Sequence, residues 1–272
     1  MENDLKKLIQ EKSGNNLHLE NVDFLKKLDW SVDISPYYCD DFTDKPREID
    51  IIATRKIQIL EGAWEENKNF WFNVVLFIEC KNFTNNLNFR IFNNDQKLSK
   101  EILCNQSLNL YLGAMIKETE NQLKNHHYLI TPMIAKLYDY PKKDKNGKDN
   151  VFDAMTQSLK SYIFFKDKKA EGVKGGIYYP MVIYDKIDGI YSMSKNNRED
   201  KYLDSLKKSK NNIFHLKYSY PKTDFISSRT KNLTEDFYID FIHKDELGNF
   251  LTNIEKNEIE KIKLFLGDVK NR

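Results

Sequence analysis

Two short segments place acidic and basic side chains where strands are expected. The segment REID ends at Asp50, and the segment IECK contains Glu79 and Lys81. Residues two apart in a strand point to the same face, so Glu79 and Lys81 share one side, while Ile78 and Cys80 point to the other. Two carboxylates and an ammonium could bind a divalent cation and stabilise charge that develops on a phosphoryl group.

A hairpin register predicts that the two carboxylates meet. Extended runs are predicted for residues 48–60 and 70–81, joined by a short polar connector. If the connector is centred between residues 64 and 65, antiparallel pairing places Asp50 opposite Glu79. Like charges repel in such a pair, whose Cβ atoms lie about 4.5–5.5 Å apart. The pair therefore needs a counterion, and Mg²⁺ is the predicted one because it takes oxygen ligands, with Mn²⁺ as a substitute.

The order of these residues resembles the PD-(D/E)XK, or restriction-endonuclease-like, nuclease superfamily. The matching pieces are an N-terminal helix with Glu20, a strand at residues 37–40, Asp50 after REI, and the E-C-K motif formed by Glu79 and Lys81. A bare D…ExK pattern is common by chance, whereas a helix, a hairpin and both motifs in the right order are more specific.

The resemblance covers about residues 15–165, and it implies a metal-dependent phosphodiesterase. In such an enzyme Asp50, Glu79 and the carbonyl of Cys80 bind Mg²⁺, and Lys81 positions the attacking water. The chain departs from the family pattern because no proline directly precedes Asp50. The alternative is a surface salt bridge among the three charged side chains, but their apolar neighbours favour interior strands.

Two helix residues are candidate additions to this site. Glu20 lies four residues before Phe24 on a predicted helix, so it is expected to face the core, where a metal or Lys81 could satisfy it. A partly exposed glutamate at a helix start is the alternative. Gln157, on a helix predicted over residues 151–166, resembles the helix glutamine that many of these nucleases bring to the site, although an ordinary polar helix face explains it equally well.

Other motifs have ordinary explanations. His126 and His127 are adjacent, and neither has a partner at a usable spacing, so a helix end is the preferred interpretation. The lysines of residues 142–148 are typical of a solvated loop. Cys39, Cys80 and Cys104 form an odd, widely spaced set that indicates a reduced cytoplasm rather than a zinc site. The sequence contains no Walker loop, G-x-G-x-x-G or G-x-S-x-G motif.

Composition limits the partners. The 43 Lys+Arg nearly cancel the 41 Asp+Glu, which gives a net charge of +2, so nucleic acid would have to be met by a local patch. The longest strongly apolar run, residues 74–78, is too short to span a bilayer, and residues 1–14 show no signal peptide or anchor. We therefore predict a cytoplasmic protein without a membrane partner.

Alternating strand and helix patterns predict an α/β fold. We expect a mixed central β-sheet flanked by helices, with a restriction-endonuclease-like core at about residues 15–193 and a C-terminal strand and helix extension at residues 194–272, packed on the same sheet within a single domain, 1–272. Helices are predicted at residues 17–28, 97–124, 151–166, 200–209 and 245–266, and strands at residues 31–34, 37–40, 48–60, 70–81, 128–130, 178–186, 190–193, 213–220 and 237–242.

The resemblance implies a Mg²⁺-dependent nuclease, with DNA favoured as its nucleic-acid partner, in a restriction, anti-phage defence or repair setting. The sequence shows no helix-turn-helix or zinc finger, so a protein partner or DNA structure is expected to supply specificity. One alternative is a non-catalytic nucleic-acid-binding or complex-assembly subunit with a nuclease-like fold. A second alternative is an RNA nuclease.

Overall fold

The computed structural model of the chain forms one large β-sheet with helices on both of its faces. It describes residues 15–40, 43–59, 70–83, 88–93, 96–106, 108–110, 124–130, 133–139, 149–166, 173–187, 189–193, 206–222 and 233–268. The strands are β1 (Ser31–Ile34), β2 (Tyr37–Asp40), β3 (Lys45–Glu48), β4 (Ile51–Ile59), β5 (Phe70–Lys81), β6 (Asn88–Asn93), β7 (Leu108–Leu110), β8 (Met133–Asp139), β9 (Val173–Tyr184), β10 (Gly189–Met193), β11 (Leu206–Lys208), β12 (Ile213–Lys222) and β13 (Leu233–His243). The helices are α1 (Asn15–Lys27), α2 (Gln96–Gln106), α3 (His127–Ile130), α4 (Asn150–Lys166), α5 (Leu247–Ile254) and α6 (Glu260–Asp268), with a 3-10 turn at Lys244–Glu246 and a π-helical segment at Glu255–Ile259.

Eleven of the described strands form the main sheet, in the order β1-β4-β5-β9-β13-β12-β8-β6-β10-β11, and β7 pairs with β9 beside this path. The sheet is mixed: β5 and β13 are parallel to β9, whereas β4 and β5 form an antiparallel pair. The strands β2 and β3 form a separate two-stranded sheet. The predicted class, a mixed sheet flanked by helices, is confirmed, while the restriction-endonuclease-like core remains a prediction.

The central strands are apolar because both of their faces are covered. In β5, every residue from Val74 to Ile78 is buried, and β9 and β13 carry similar apolar runs. Strands covered on both faces lose the polar and apolar alternation of a half-exposed strand. One core lies between the sheet and α1 with the C-terminal helices, and a second core lies between the opposite face and α4.

Local sequence determines where the helix α4 begins and which of its sides faces the sheet. Asp149 caps its start, because its Oδ1 accepts hydrogen bonds from the backbone amides of Val151 and Phe152 at 3.1 and 3.0 Å. The buried positions recur at helical spacing and face the sheet. They are Val151, Ala154, Met155, Ser158, Leu159, Ser161 and Tyr162.

Most of the predicted elements on described residues are confirmed, and three are wrong. The helix predicted over residues 97–124 ends at Gln106, and Leu108–Leu110 forms β7 because it pairs with the first half of β9. The strand predicted at residues 128–130 lies in the short helix α3. Of the helix predicted at residues 200–209, the described part is β11, which pairs with β10. In each case tertiary pairing or burial overrides local pattern.

Several sequence predictions concern residues outside the described ranges. These include the connector at residues 61–68, the end of the predicted helix at residues 111–123, and the polar loop at residues 141–148. Among the helices in the described ranges, none combines the length and the apolar composition that a membrane span requires.

Strands from the C-terminal part of the chain belong to the interior of the main sheet. The strand β13 lies between β9 and β12, with Asp240 opposite Met181 and His215 opposite Asp240. The strands β11, β12 and β13 therefore share backbone hydrogen bonds with β10, β8 and β9, which come from the first two hundred residues.

Gly176 marks a close approach between β9 and β5. A Cβ atom there would lie 2.8 Å from the Tyr178 ring and 3.0 Å from the carbonyl oxygen of Asn73. We expect Gly176→Ala to destabilise the protein by about 1–3 kcal/mol, because a strand of the sheet has to move. The matched control is Gly248→Ala in α5, where the added Cβ would lie 3.4 Å from the ring of Phe24. Higher helix propensity should make that change neutral or stabilising, and equal melting temperatures for the two variants would contradict this account.

Candidate active site

The predicted hairpin register is confirmed. Ile51 pairs with Ile78 in the antiparallel ladder of β4 and β5, and the same register runs to Ile59 opposite Phe70. Asp50 directly precedes β4, so the continued register places it opposite Glu79. The two carboxylates therefore meet at the end of the hairpin, where β5 emerges from the sheet.

Asp50 is fixed by the backbone of the facing strand. Its Oδ2 accepts a hydrogen bond from the amide of Cys80 at 2.7 Å. Because the N–H and C=O of one residue in an antiparallel ladder point to the same neighbouring strand, the carbonyl of Cys80 is directed to the Asp50 side as well. The three expected oxygen donors, from Asp50, Glu79 and Cys80, thus belong to one end of the hairpin.

Glu79 is a buried carboxylate, and one of its two oxygens has no hydrogen-bond partner among the described residues. Its side chain is 3% exposed, and Oε1 lies 2.6 Å from Nζ of Lys81. The other oxygen, Oε2, has no hydrogen-bond partner within the described part of the chain. Burial raises the pKa of Glu79 to about 7, with the charge of Lys81 opposing this shift and the charge of Asp50 adding to it. A cation at Oε2 would remove this penalty.

Lys81 completes the charged group. Burial alone would lower the pKa of its ammonium, but the charges of Glu79 and Asp50 outweigh that effect and raise it. The ammonium is thus kept positive beside two carboxylates. Its side chain is 29% exposed, so the site remains open to solvent and to a substrate at this point.

The helix α4 packs on the sheet face that carries Glu79, and two of its side chains contact the backbone near the site. Ser158 donates its hydroxyl to the carbonyl of Phe77 at 2.9 Å, and Gln157 donates its side-chain amide to the carbonyl of Glu48 at 3.5 Å. The structure therefore places Gln157 beside the backbone that leads into Asp50, and its hydrogen bond goes to that backbone instead of to the carboxylates. Lys160 adds an ion pair to the buried Asp40 of β2 at 2.7 Å.

The expectation that Glu20 faces the core is wrong. Its side chain is 52% exposed and contacts Asn16 at 2.6 Å and Lys244 at 4.0 Å. The helix α1 is turned so that Leu17, Asn21, Val22 and Leu25 point inward instead. Asn21, rather than Glu20, reaches the hairpin, where its amide lies 3.7 Å from the sulfur of Cys80 on the face opposite Glu79.

A second group of titratable side chains, which sequence analysis missed, lies on the other face of the sheet. His127 bridges two carboxylates: Nδ1 lies 2.8 Å from Glu258 Oε1, and Nε2 lies 3.1 Å from Asp240 Oδ1. His126 and Tyr179 contact the same glutamate. We call these five residues the histidine cluster. The helix-end interpretation holds only for His127, the first residue of α3, because His126 directly precedes that helix. A local pattern contains no sign of Glu258, which lies 131 residues from His127.

Charges in the histidine cluster shift one another strongly. Burial would lower the pKa of His127, but Asp240 and Glu258 outweigh burial and raise it to about 10. Burial would raise the pKa of Glu258, and the two histidines instead hold it far below its usual range. Burial lowers the pKa of His126. The cluster therefore contains one imidazolium between two carboxylates, with a neutral imidazole beside it.

The two groups differ in the metals they suit. Asp50, Glu79 and the Cys80 carbonyl offer oxygen alone, which fits Mg²⁺, whereas the histidine cluster adds imidazole nitrogen, which fits transition metals.

Comparison with family models, with curated protein sequences and with solved structures finds no match to this chain.

Proposed function

We propose that the chain is a divalent-metal-dependent nuclease whose site contains Asp50, Glu79 and Lys81. The observation that carries the proposal is the buried, unpartnered Oε2 of Glu79, next to a second carboxylate at the end of the same hairpin. A salt bridge alone leaves this oxygen unsatisfied, and desolvating it without a partner is costly. A divalent cation accounts for both the carboxylate pair and the free oxygen.

Each residue of the proposed site has a separate role. Asp50, Glu79 and the carbonyl of Cys80 would hold Mg²⁺, which when bound supplies Lewis-acid stabilisation of phosphoryl charge. The amide of Cys80 keeps the Asp50 carboxylate in place. The ammonium of Lys81, kept protonated by its two acidic neighbours, can hydrogen-bond the attacking water or a phosphate oxygen. Gln157 contributes by holding the backbone at Glu48.

DNA is the proposed substrate, with RNA as the alternative, and the sequence resemblance supports this choice. The test is a cleavage assay on plasmid DNA, single-stranded DNA and RNA, each with Mg²⁺, Mn²⁺ or EDTA. We expect cleavage of DNA that stops on chelation. Binding of nucleic acid without cleavage under any metal would favour a non-catalytic binding subunit, and faster cleavage of RNA would favour a ribonuclease.

The raised pKa of Glu79 predicts a pH dependence of stability in the metal-free protein. Between the ordinary value of 4.5 and about 7, the folded protein keeps a proton on Glu79 that the unfolded chain has lost, so stability falls as pH rises through this window. Glu79→Gln, which stays neutral, should match the stability of wild type below pH 4.5 and exceed it above pH 7 by about 3 kcal/mol. Urea unfolding in EDTA at several pH values measures the difference, and a difference that does not change with pH would contradict the shift.

A further inference from the structure

The histidine cluster contains a ligand set of its own. His126, His127 and Glu258 each offer one atom, and these atoms all lie within 4.8 Å of one another. All three residues are buried, and they lie on the sheet face opposite Glu79. Two imidazoles and a carboxylate are ligands that zinc takes at about 2.0–2.2 Å, commonly with a fourth position left for water or substrate. Mg²⁺ by contrast prefers oxygen ligands.

Neighbouring side chains already orient these ligands. The carboxylate of Asp240 lies 3.1 Å from Nε2 of His127, which leaves Nδ1 directed at Glu258. Tyr179 donates its hydroxyl to Glu258 Oε2 at 2.6 Å. A metal-binding histidine usually donates its other ring N–H to a carboxylate, and this bond fixes the ring and the tautomer. Asp240 and Tyr179 therefore occupy the outer positions that such a site requires.

His126 places a second imidazole nitrogen beside the same carboxylate. Its Nε2 is buried and lies 3.0 Å from Glu258 Oε2. The amide of Tyr128 donates to Nδ1 at 3.1 Å. Metal binding at Nε2 requires the hydrogen to sit on Nδ1, which ends that bond with Tyr128. We therefore expect His126 to be the weaker of the two imidazole ligands.

Backbone geometry and access give independent support. Glu258 belongs to the π-helical segment Glu255–Ile259, and single π-turns within helices occur frequently at functional sites. A cavity of about 380 Å³ borders His127 and Glu258 and is otherwise lined largely by polar side chains. The cavity thus reaches two of the three ligands, and a metal would enter from this side.

From these observations we propose that His127, Glu258 and His126 bind one divalent transition metal, Zn²⁺ or an ion of similar chemistry, with its remaining coordination position facing the cavity. Binding releases to solvent the proton that His127 carries on Nδ1 in the metal-free protein. The site ties α3 to the C-terminal helices. It does not depend on the proposed nuclease function, because its ligands lie on the other face of the sheet.

The test is a titration of the EDTA-treated full-length protein with Co²⁺, whose visible absorption reports tetrahedral coordination. We expect one equivalent with tetrahedral absorption, displaced by Zn²⁺. His127→Ala should weaken this binding by at least about 100-fold and His126→Ala by about tenfold, since even partners outside the ligand set contribute about 10–100-fold. Asp236→Ala, at a partly exposed ion pair that belongs to neither proposed metal site, is the matched control and should bind Co²⁺ as tightly as wild type.

Wild-type protein can decide the question even if His127→Ala does not fold, which circular dichroism will show. X-ray absorption at the zinc edge of the loaded wild type should show imidazole nitrogen and carboxylate oxygen ligands. Absence of tetrahedral Co²⁺ absorption in wild type would overturn the proposal. So would tetrahedral binding that is unchanged by both histidine substitutions, or that is lost in Asp236→Ala.

Discussion

Asp50→Asn is expected to abolish Mg²⁺-dependent cleavage, by about a thousandfold or more, while leaving thermal stability unchanged or raised. The amide oxygen of Asn can still accept the hydrogen bond from the Cys80 amide, so the hairpin end is retained. The negative charge that disfavours ionisation of the buried Glu79 is removed. Loss of one of two metal-binding carboxylates removes the main source of phosphoryl charge stabilisation.

Melting curves with and without Mg²⁺ separate this mechanism from a structural salt bridge. Metal should raise the melting temperature of wild type by linkage and leave that of Asp50→Asn nearly fixed. Lys81→Ala is the companion variant, expected to lose cleavage and to keep the metal response. Equal metal stabilisation of wild type and Asp50→Asn, or cleavage that survives EDTA, would count against the proposed site.

Asp240→Ala should be the most damaging single change to stability among the charged residues of β13. Asp240 is fully buried and contacts His127 and the hydroxyl of Tyr128, so its removal leaves a buried imidazolium with one carboxylate partner. Breaking one side of such a buried pair costs about 3–5 kcal/mol. Chemical denaturation at neutral pH in EDTA measures the change without any contribution from bound metal.

The same strand offers a matched control. Asp236 pairs with Lys217 at 2.7 Å, but its side chain is 31% exposed, so water and salt weaken the interaction. Asp236→Ala should therefore cost at most about 1 kcal/mol. Similar losses for the two aspartates would mean that the histidine cluster contributes little to folding stability.

The hairpin could be predicted from sequence because its determinants are local. Two long extended runs separated by a short polar connector leave few possible registers, and the alternation of side chains then fixes which residues share a face. The same reasoning failed for α1, where the spacing of Phe24 and Leu28 predicts that their side of the helix faces the core. Leu28 is 42% exposed, and the buried stripe is rotated toward Leu17 and Leu25. The rotation of a short amphipathic helix about its own axis is determined by the surface on which it packs, and the sequence of the helix does not contain that information.

The histidine cluster lay beyond sequence reasoning for a different reason. Its members come from a short helix, two strands of the sheet and a π-helical segment, and no local period links His127 to Glu258 or Asp240. Long-range pairing of this kind becomes visible only once the sheet order is known.

The position of β13 inside the sheet has a consequence for synthesis on the ribosome. The end of β9, residues 181–184, pairs with residues 240–243, which are translated long after it. Until then the nascent chain presents an apolar strand with an unsatisfied edge, the kind of surface that chaperones bind and that promotes aggregation. Parallel pairing between distant segments is also slow to form. We expect the growing chain to depend on a chaperone until β13 has left the exit tunnel and can pair with β9.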